Sequence, residues 1–137
     1  MTETGRIRLL FVCVENSGRS QMAEGFARAL AGDRVVAWSA GSRPSGQVSG
    51  KAMRLMEEKG VSLEGHRSKG LDDLPPIPWD WIVTMGCGDA CPHLPAKHRA
   101  DWDLPDPREM DDAGYRAVRD RIETLVKELV AEAAPVR

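Results

Sequence analysis

Eight consecutive residues hold the side chains best suited to bind and attack a small anion: Cys13-Val14-Glu15-Asn16-Ser17-Gly18-Arg19-Ser20. A cysteine offers a nucleophile. Arg19 brings a planar fork of donors that matches a tetrahedral oxyanion. Ser20 can add a hydroxyl hydrogen bond to a thiolate. Gly18 is expected to take backbone angles closed to other residues. A tight turn over 15–19 aims backbone N–H groups into one concavity, and a following helix adds partial positive charge. The same donors favour the thiolate of a cysteine held among them. Glu15, Asn16, Ser17, Gly18 and Arg19 are thus expected to bind the oxyanion, with Cys13, Arg19 and Ser20 catalytic. The competing reading is a buried structural cysteine beside a helix start.

The flanking residues say how the octapeptide is held. Before it, Ile7 and Leu9 to Val12 form a short continuous apolar run, the pattern of a buried parallel strand. After it, Met22, Phe26 and Leu30, with Ala23 and Ala27, recur at helical spacing. A strand therefore delivers Cys13 and a helix begins near Arg19. Further on, Val35, Val36 and Trp38 suggest a second strand ending near Ser39. A helix is expected from Val48 to Lys59, stopped by Gly60. A short helix is expected around Leu71 to Leu74, with Pro75, Pro76 and Pro78 breaking regular structure after it. Residues 81–85 read as a third strand and residues 99–102 as a fourth. The last helix is expected from Asp112 to Glu132, with a core-facing stripe of Val118, Ile122, Leu125, Val126 and Leu129. The four tryptophans read as core and rim packing. The order of elements predicts an α/β fold: a small three-layer sandwich, a four-stranded parallel sheet with helices on both faces.

Composition sets the outer limits. The 137 residues fit a single domain, 1–137, with a real core. Hydrophobic content of 42% and charged content of 29% are those of a soluble globular protein. A net charge of −2 gives a nucleic-acid role no electrostatic support. No apolar run reaches transmembrane length, and the N-terminus lacks the apolar stretch of a signal peptide. The expected location is the cytoplasm, and nothing demands more than a monomer. Three cysteines, an odd number, are too few for a disulfide scaffold. In a reducing compartment they point to catalysis, redox work or metal binding. One can attack while two resolve.

Cysteine, five residues, then Arg-Ser resembles the phosphate-binding loop of the low-molecular-weight tyrosine phosphatases and of the arsenate reductases that share their fold. The continuation Gln21-Met22-Ala23-Glu24-Gly25 is the reductase variety. Ser39-Ala40-Gly41, Val83-Thr84-Met85 followed by two cysteines, and Asp106-Pro107 extend the resemblance over nearly the whole chain. Reductases of this kind carry a second and a third cysteine after the third strand, here Cys87 and Cys91. The spacer of three residues is shorter than in several members. Zinc binding by Cys87, Cys91, His93 and His98, or two bystander cysteines, are the rival readings of that segment. In the similar phosphatases an aspartate at the place of Asp106 is the general acid. Its rival role is a helix cap with Glu109.

The resemblance implies arsenate as substrate, reduced to arsenite. Cys13 attacks arsenic, Asp106 protonates the departing hydroxide, and Cys87 then Cys91 take over the disulfide. Thioredoxin or a similar thiol reductant regenerates the enzyme, and no cofactor is required. In some members the counterparts of Asn16, Glu24 and Ser39 help bind potassium beside an aspartate. This chain has Lys69 there, so no metal is expected. Two alternatives remain. A phosphatase needs Cys13, Arg19 and Asp106 but neither later cysteine, and Arg108-Glu109 stands where phosphatases often carry paired tyrosines. A non-catalytic metalloid-binding module needs only the thiols.

Overall fold

A computed structural model describes residues 5–86 and 94–135. The chain runs β1 (Ile7–Cys13), α1 (Arg19–Ala31), β2 (Val35–Gly41), α2 (Gly50–Glu57), a 3-10 turn (Leu71–Asp73), β3 (Trp79–Thr84), β4 (Ala96–Asp101) and α3 (Asp112–Ala133). The strands form one sheet in the order β2-β1-β3-β4, all parallel. β1 is therefore central and hydrogen-bonded on both sides. That is why its residues from Leu9 to Cys13 are all buried and read as an unbroken apolar run.

Side-chain alternation divides β1 between two cores. Leu9, Phe11 and Cys13 pack with Met22 and Phe26 of α1, Leu55 of α2 and Ile122 of α3. Leu10 and Val12 join Ala40 and Ile82 on the opposite face. Leu71 and Leu74 of the 3-10 turn region and Ile77 cover that second core. Among the described residues, helical structure thus lies on both faces, unevenly: three α-helices on one, a single 3-10 turn on the other.

Several boundaries differ from the sequence expectation. β2 continues to Gly41, because Gly41 pairs with Cys13 and its N–H donates to Lys69 O at 2.9 Å. β3 starts two residues early, directly after Pro78, and β4 starts three early at Ala96. β4 is an edge strand with an exposed polar pattern, so its apolar signal is weak. α2 is shorter than expected and is capped by Ser49, whose Oγ accepts from Ala52 N. Leu30, expected on the inner face of α1, is 39% exposed. Leu125 is only partly buried against the core.

The C-terminal ends of β1, β2 and β3 share one edge, with Cys13 opposite Gly41 and Val12 opposite Thr84. Ligands of open parallel sheets collect outside such an edge.

Candidate active site

Residues 13–20 make the expected strand-to-helix turn at that edge. Asn16 is fully buried and sits at φ +52°, the one non-glycine residue in the left-handed region among the described residues. It is held there by a dense set of bonds. Gln21 Nε2 donates to Asn16 O at 3.1 Å and to its Oδ1 at 3.0 Å, and Lys69 N donates to the same Oδ1 at 2.9 Å. The left-handed bend thus falls on Asn16, not on Gly18, whose φ is −124°. Gly18 is required by space instead. A Cβ there would lie 2.9 Å from the Tyr115 hydroxyl oxygen.

Cys13 is 3% exposed, and its Sγ lies 2.9 Å from Ser20 Oγ. Asn16 Nδ2 donates to the same Ser20 oxygen at 2.7 Å. That donation occupies a lone pair of the hydroxyl and leaves its proton free to point at sulfur. Arg19 opens α1 and is nearly buried. Its Nη1 donates to Leu104 O at 3.0 Å, and its Nη2 stands 3.7 Å from Asp106 Oδ2. The guanidinium is thereby fixed beside the thiol rather than free in solvent.

Asp106 does not cap α3. That role falls to Asp111, whose Oδ1 accepts from Gly114 N at 2.9 Å. Asp106 Oδ1 accepts instead from Arg108 N, a local turn that leaves its carboxylate at the pocket. The pocket encloses about 60 Å³ and is lined by Cys13, Ser17, Arg19 and Asp106, among others. One water needs roughly 10–15 Å³ on such a measure, so the space suits a ligand of a few heavy atoms, such as a tetrahedral oxyanion.

The sequence reading missed several residues of this pocket. Tyr115 walls one side, and burial pushes its hydroxyl pKa up, so it is a neutral donor. Ser49 and Lys51, from the start of α2, line another side, with Lys51 Nζ donating to Met110 O at 2.8 Å. No periodicity announces them, because α2 reaches the pocket only through the tertiary fold. Arg108 also lines the mouth, paired with Glu15.

Behind the loop, Ser39 Oγ donates to Glu24 Oε1 at 2.5 Å, and Arg28 pairs with the other Glu24 oxygen at 2.8 Å. Lys69 Nζ lies 3.4 Å from Ser39 Oγ and 3.8 Å from Glu24 Oε1. Burial lowers the Lys69 pKa, opposed by Glu24. A metal cation at this place would face that ammonium, so these residues do not fit one. Cys87, Cys91 and His93 lie outside the described residues. Gly86, the residue before Cys87, is described, and a Cβ on it would meet Arg19 Nη1 at 2.6 Å. The chain therefore passes close to Arg19 at the residue before Cys87.

A thiol at a parallel strand's end, an arginine opening the next helix and an aspartate from the segment after β4 line one small pocket. The family model for low molecular weight phosphotyrosine protein phosphatase matches residues 8–135. The chain belongs to this family. Within the low-molecular-weight phosphatase family, its relatives include a glutaredoxin arsenate reductase of Synechocystis, 33% identical over 91% of this chain and 97% of the relative. A solved arsenate reductase in a phosphate-binding state superposes with a TM-score of 0.85 at 32% identity, covering 93% of this chain and 99% of that one. A thioredoxin-dependent arsenate reductase of Corynebacterium glutamicum gives a TM-score of 0.79 at 31% identity, over 96% of this chain and 64% of that one.

Proposed function

We infer that the protein is an arsenate reductase working through a three-thiol relay. The observation that carries this reading is the pocket itself. A buried thiol with a hydroxyl donor at 2.9 Å faces Arg19 and Asp106 in a space sized for one oxyanion. The similarity to arsenate reductases supplies the substrate, since phosphate and arsenate have the same shape.

Arsenate enters with its oxygens toward the backbone N–H groups of 15–19 and Arg19. The Cys13 thiolate forms a bond to arsenic, and one arsenic–oxygen bond breaks. Asp106 gives the departing oxygen a proton and water leaves. Cys87 then attacks the Cys13 sulfur. The sulfur–arsenic bonding pair stays on arsenic, which passes from As(V) to As(III), and arsenite departs. Cys91 attacks Cys87, Cys13 is released as a thiol, and the Cys87–Cys91 disulfide is reduced by an external dithiol protein such as thioredoxin or glutaredoxin. One disulfide forms for each arsenate, two electrons in all. The close approach of Gly86 to Arg19 supports a later cysteine reaching Cys13.

The reading includes a single domain acting as a monomer. It also includes a cytoplasmic location, where a thiol pool keeps the cysteines reduced. Among the described residues no helix is long and apolar enough to cross a membrane. No cofactor enters, and Lys69 supplies the positive charge beside Glu24 and Ser39.

Counting free thiols after one equivalent of arsenate tests the relay. Wild type is expected to lose two of three thiols and release one arsenite. Steady-state turnover with thioredoxin is expected to vanish in Cys13→Ser and to fall to background in Cys87→Ser and Cys91→Ser. Normal turnover in both later variants would sink the relay. Weak hydrolysis of phosphate esters is compatible with the reading as a side activity; efficient hydrolysis independent of Cys87 and Cys91, without arsenate turnover, would favour a phosphatase, the activity for which the matching family is named. Stoichiometric metalloid binding without turnover would favour a binding module.

A further inference from the structure

The pocket has a floor and a rim. Cys13 at the floor is 3% exposed, whereas the side chains of Glu15, Asp106 and Arg108 are 38%, 45% and 59% exposed. At the rim, Arg108 Nη1 donates to Glu15 Oε2 at 2.6 Å, joining two loops 93 residues apart in sequence. Its Nη2 stands 3.5 Å from Asp106 Oδ2, and its backbone N–H holds Asp106 Oδ1. Near the start of α3, Lys51 Nζ ties down Met110 O at 2.8 Å. Residues 106–110 are thus tied to Glu15 through Arg108 and to Lys51 through Met110, with the Arg108 side chain as the crossbar.

We propose that the Glu15–Arg108 bridge determines substrate specificity by narrowing the mouth against anions with an organic substituent, while a free inorganic oxyanion passes. The enclosed volume of about 60 Å³ is well below the ~150 Å³ cavity that takes a benzene ring. An aryl phosphate whose head group sits above Cys13 must send its ring out through the mouth, where Glu15 and Arg108 meet. The Arg108 side chain takes up the space a substituent would need; because exposed ion pairs hold only weakly, the bridge discriminates by a modest displacement cost and does not bar the mouth outright. It also spends the charges of both partners on each other, so that Arg108 need not bind the substrate. The proposal rests on the oxyanion pocket of the reading above and is independent of the thiol relay.

The test compares two probes with the same kind of anionic head, inorganic phosphate and phenylphosphonate, by titration calorimetry on the reduced full chain. Wild type is expected to bind phosphate and to discriminate against phenylphosphonate. In Arg108→Ala the affinity ratio should shift toward phenylphosphonate by roughly tenfold, the scale on which a pocket wall separates ligands differing by one group. Phosphate affinity itself should fall less than the ratio shifts, the loss coming from the Glu15 and Asp106 carboxylates that Arg108 no longer pairs. Glu15→Gln, which frees Arg108 but keeps its bulk, should give a smaller shift, and Arg108→Lys should retain most of the discrimination. An unchanged ratio in Arg108→Ala overturns the proposal. So does a parallel loss of both probes, which would make Arg108 a direct anion ligand. Failure of wild type to bind phosphate removes the pocket, and this proposal with it. Loss of the thiol relay in the earlier experiment leaves the proposal standing.

Discussion

Around Cys13, each residue is placed by a bond that its neighbour makes elsewhere. Asn16 spends Nδ2 on Ser20 and Oδ1 on Gln21 and Lys69, so Ser20 has one proton left for sulfur. Gly18 is open to a sharper test than Ser20. Its missing Cβ makes room for the Tyr115 hydroxyl oxygen, which a Cβ would meet at 2.9 Å. Gly18→Ala should therefore push loop and tyrosine apart, an overpacking cost of about 1–3 kcal/mol, and lower kcat/KM by at least about tenfold. Tyr115→Phe alone should cost about 1 kcal/mol or less, since its bond to Ser49 is long at 3.4 Å. The double variant, with the hydroxyl gone, should recover most of the lost activity. A double variant no better than Gly18→Ala would mean the glycine serves the backbone and not the contact.

Between elements, polar clamps and buried stripes do different work. Glu58, just after α2, receives two guanidinium groups from α3: Arg116 at 2.8 Å and Arg119 at 2.7 Å. Hydrogen bonds from Arg116 and then Arg119 hold its pKa down at about 2, from an ordinary 4.5. A depressed carboxylate stabilises the fold above its unfolded pKa and loses that contribution as pH falls through the folded one. The Glu58 contribution is complete above about pH 4.5 and disappears between there and about pH 2. In Glu58→Gln the drop in Tm across that window should be shallower than in wild type. The apolar stripe carries more. Ile122 is fully buried among the helices, and Ile122→Ala should cost about 2–5 kcal/mol in denaturant unfolding. Leu30, at 39% exposure, should tolerate alanine within about 0.5 kcal/mol. Equal losses at the two positions would contradict the burial pattern.

In the whole molecule, the fold brings distant pieces of chain to one sheet edge. The octapeptide comes from β1, the aspartate from the segment after β4, and the wall residues from α2 and α3. Parallel topology explains the convergence, because β1, β2 and β3 all end on the same side. The fold class was legible because β1 is buried on both faces and α1 and α3 repeat their apolar residues at helical spacing. The edge strand β4 was legible only in part. Its exposed residues Lys97, His98 and Arg99 carry no alternation, and pairing with β3 defines it.

Residue types in order picked out Cys13, Arg19 and the strand-turn-helix that holds them, because those depend on contacts local in the chain. Whether Asp106 caps a helix or faces the thiol was open in the sequence, since both roles use the same short pattern. Asp111 takes the cap, and packing of the 104–110 segment against Arg19 leaves Asp106 at the pocket. The walls formed by Tyr115, Ser49 and Lys51 and the crossbar from Arg108 to Glu15 were likewise settled only by tertiary structure. They arise from residues tens of positions apart, and a linear sequence carries no distance between them until the sheet and helices have closed.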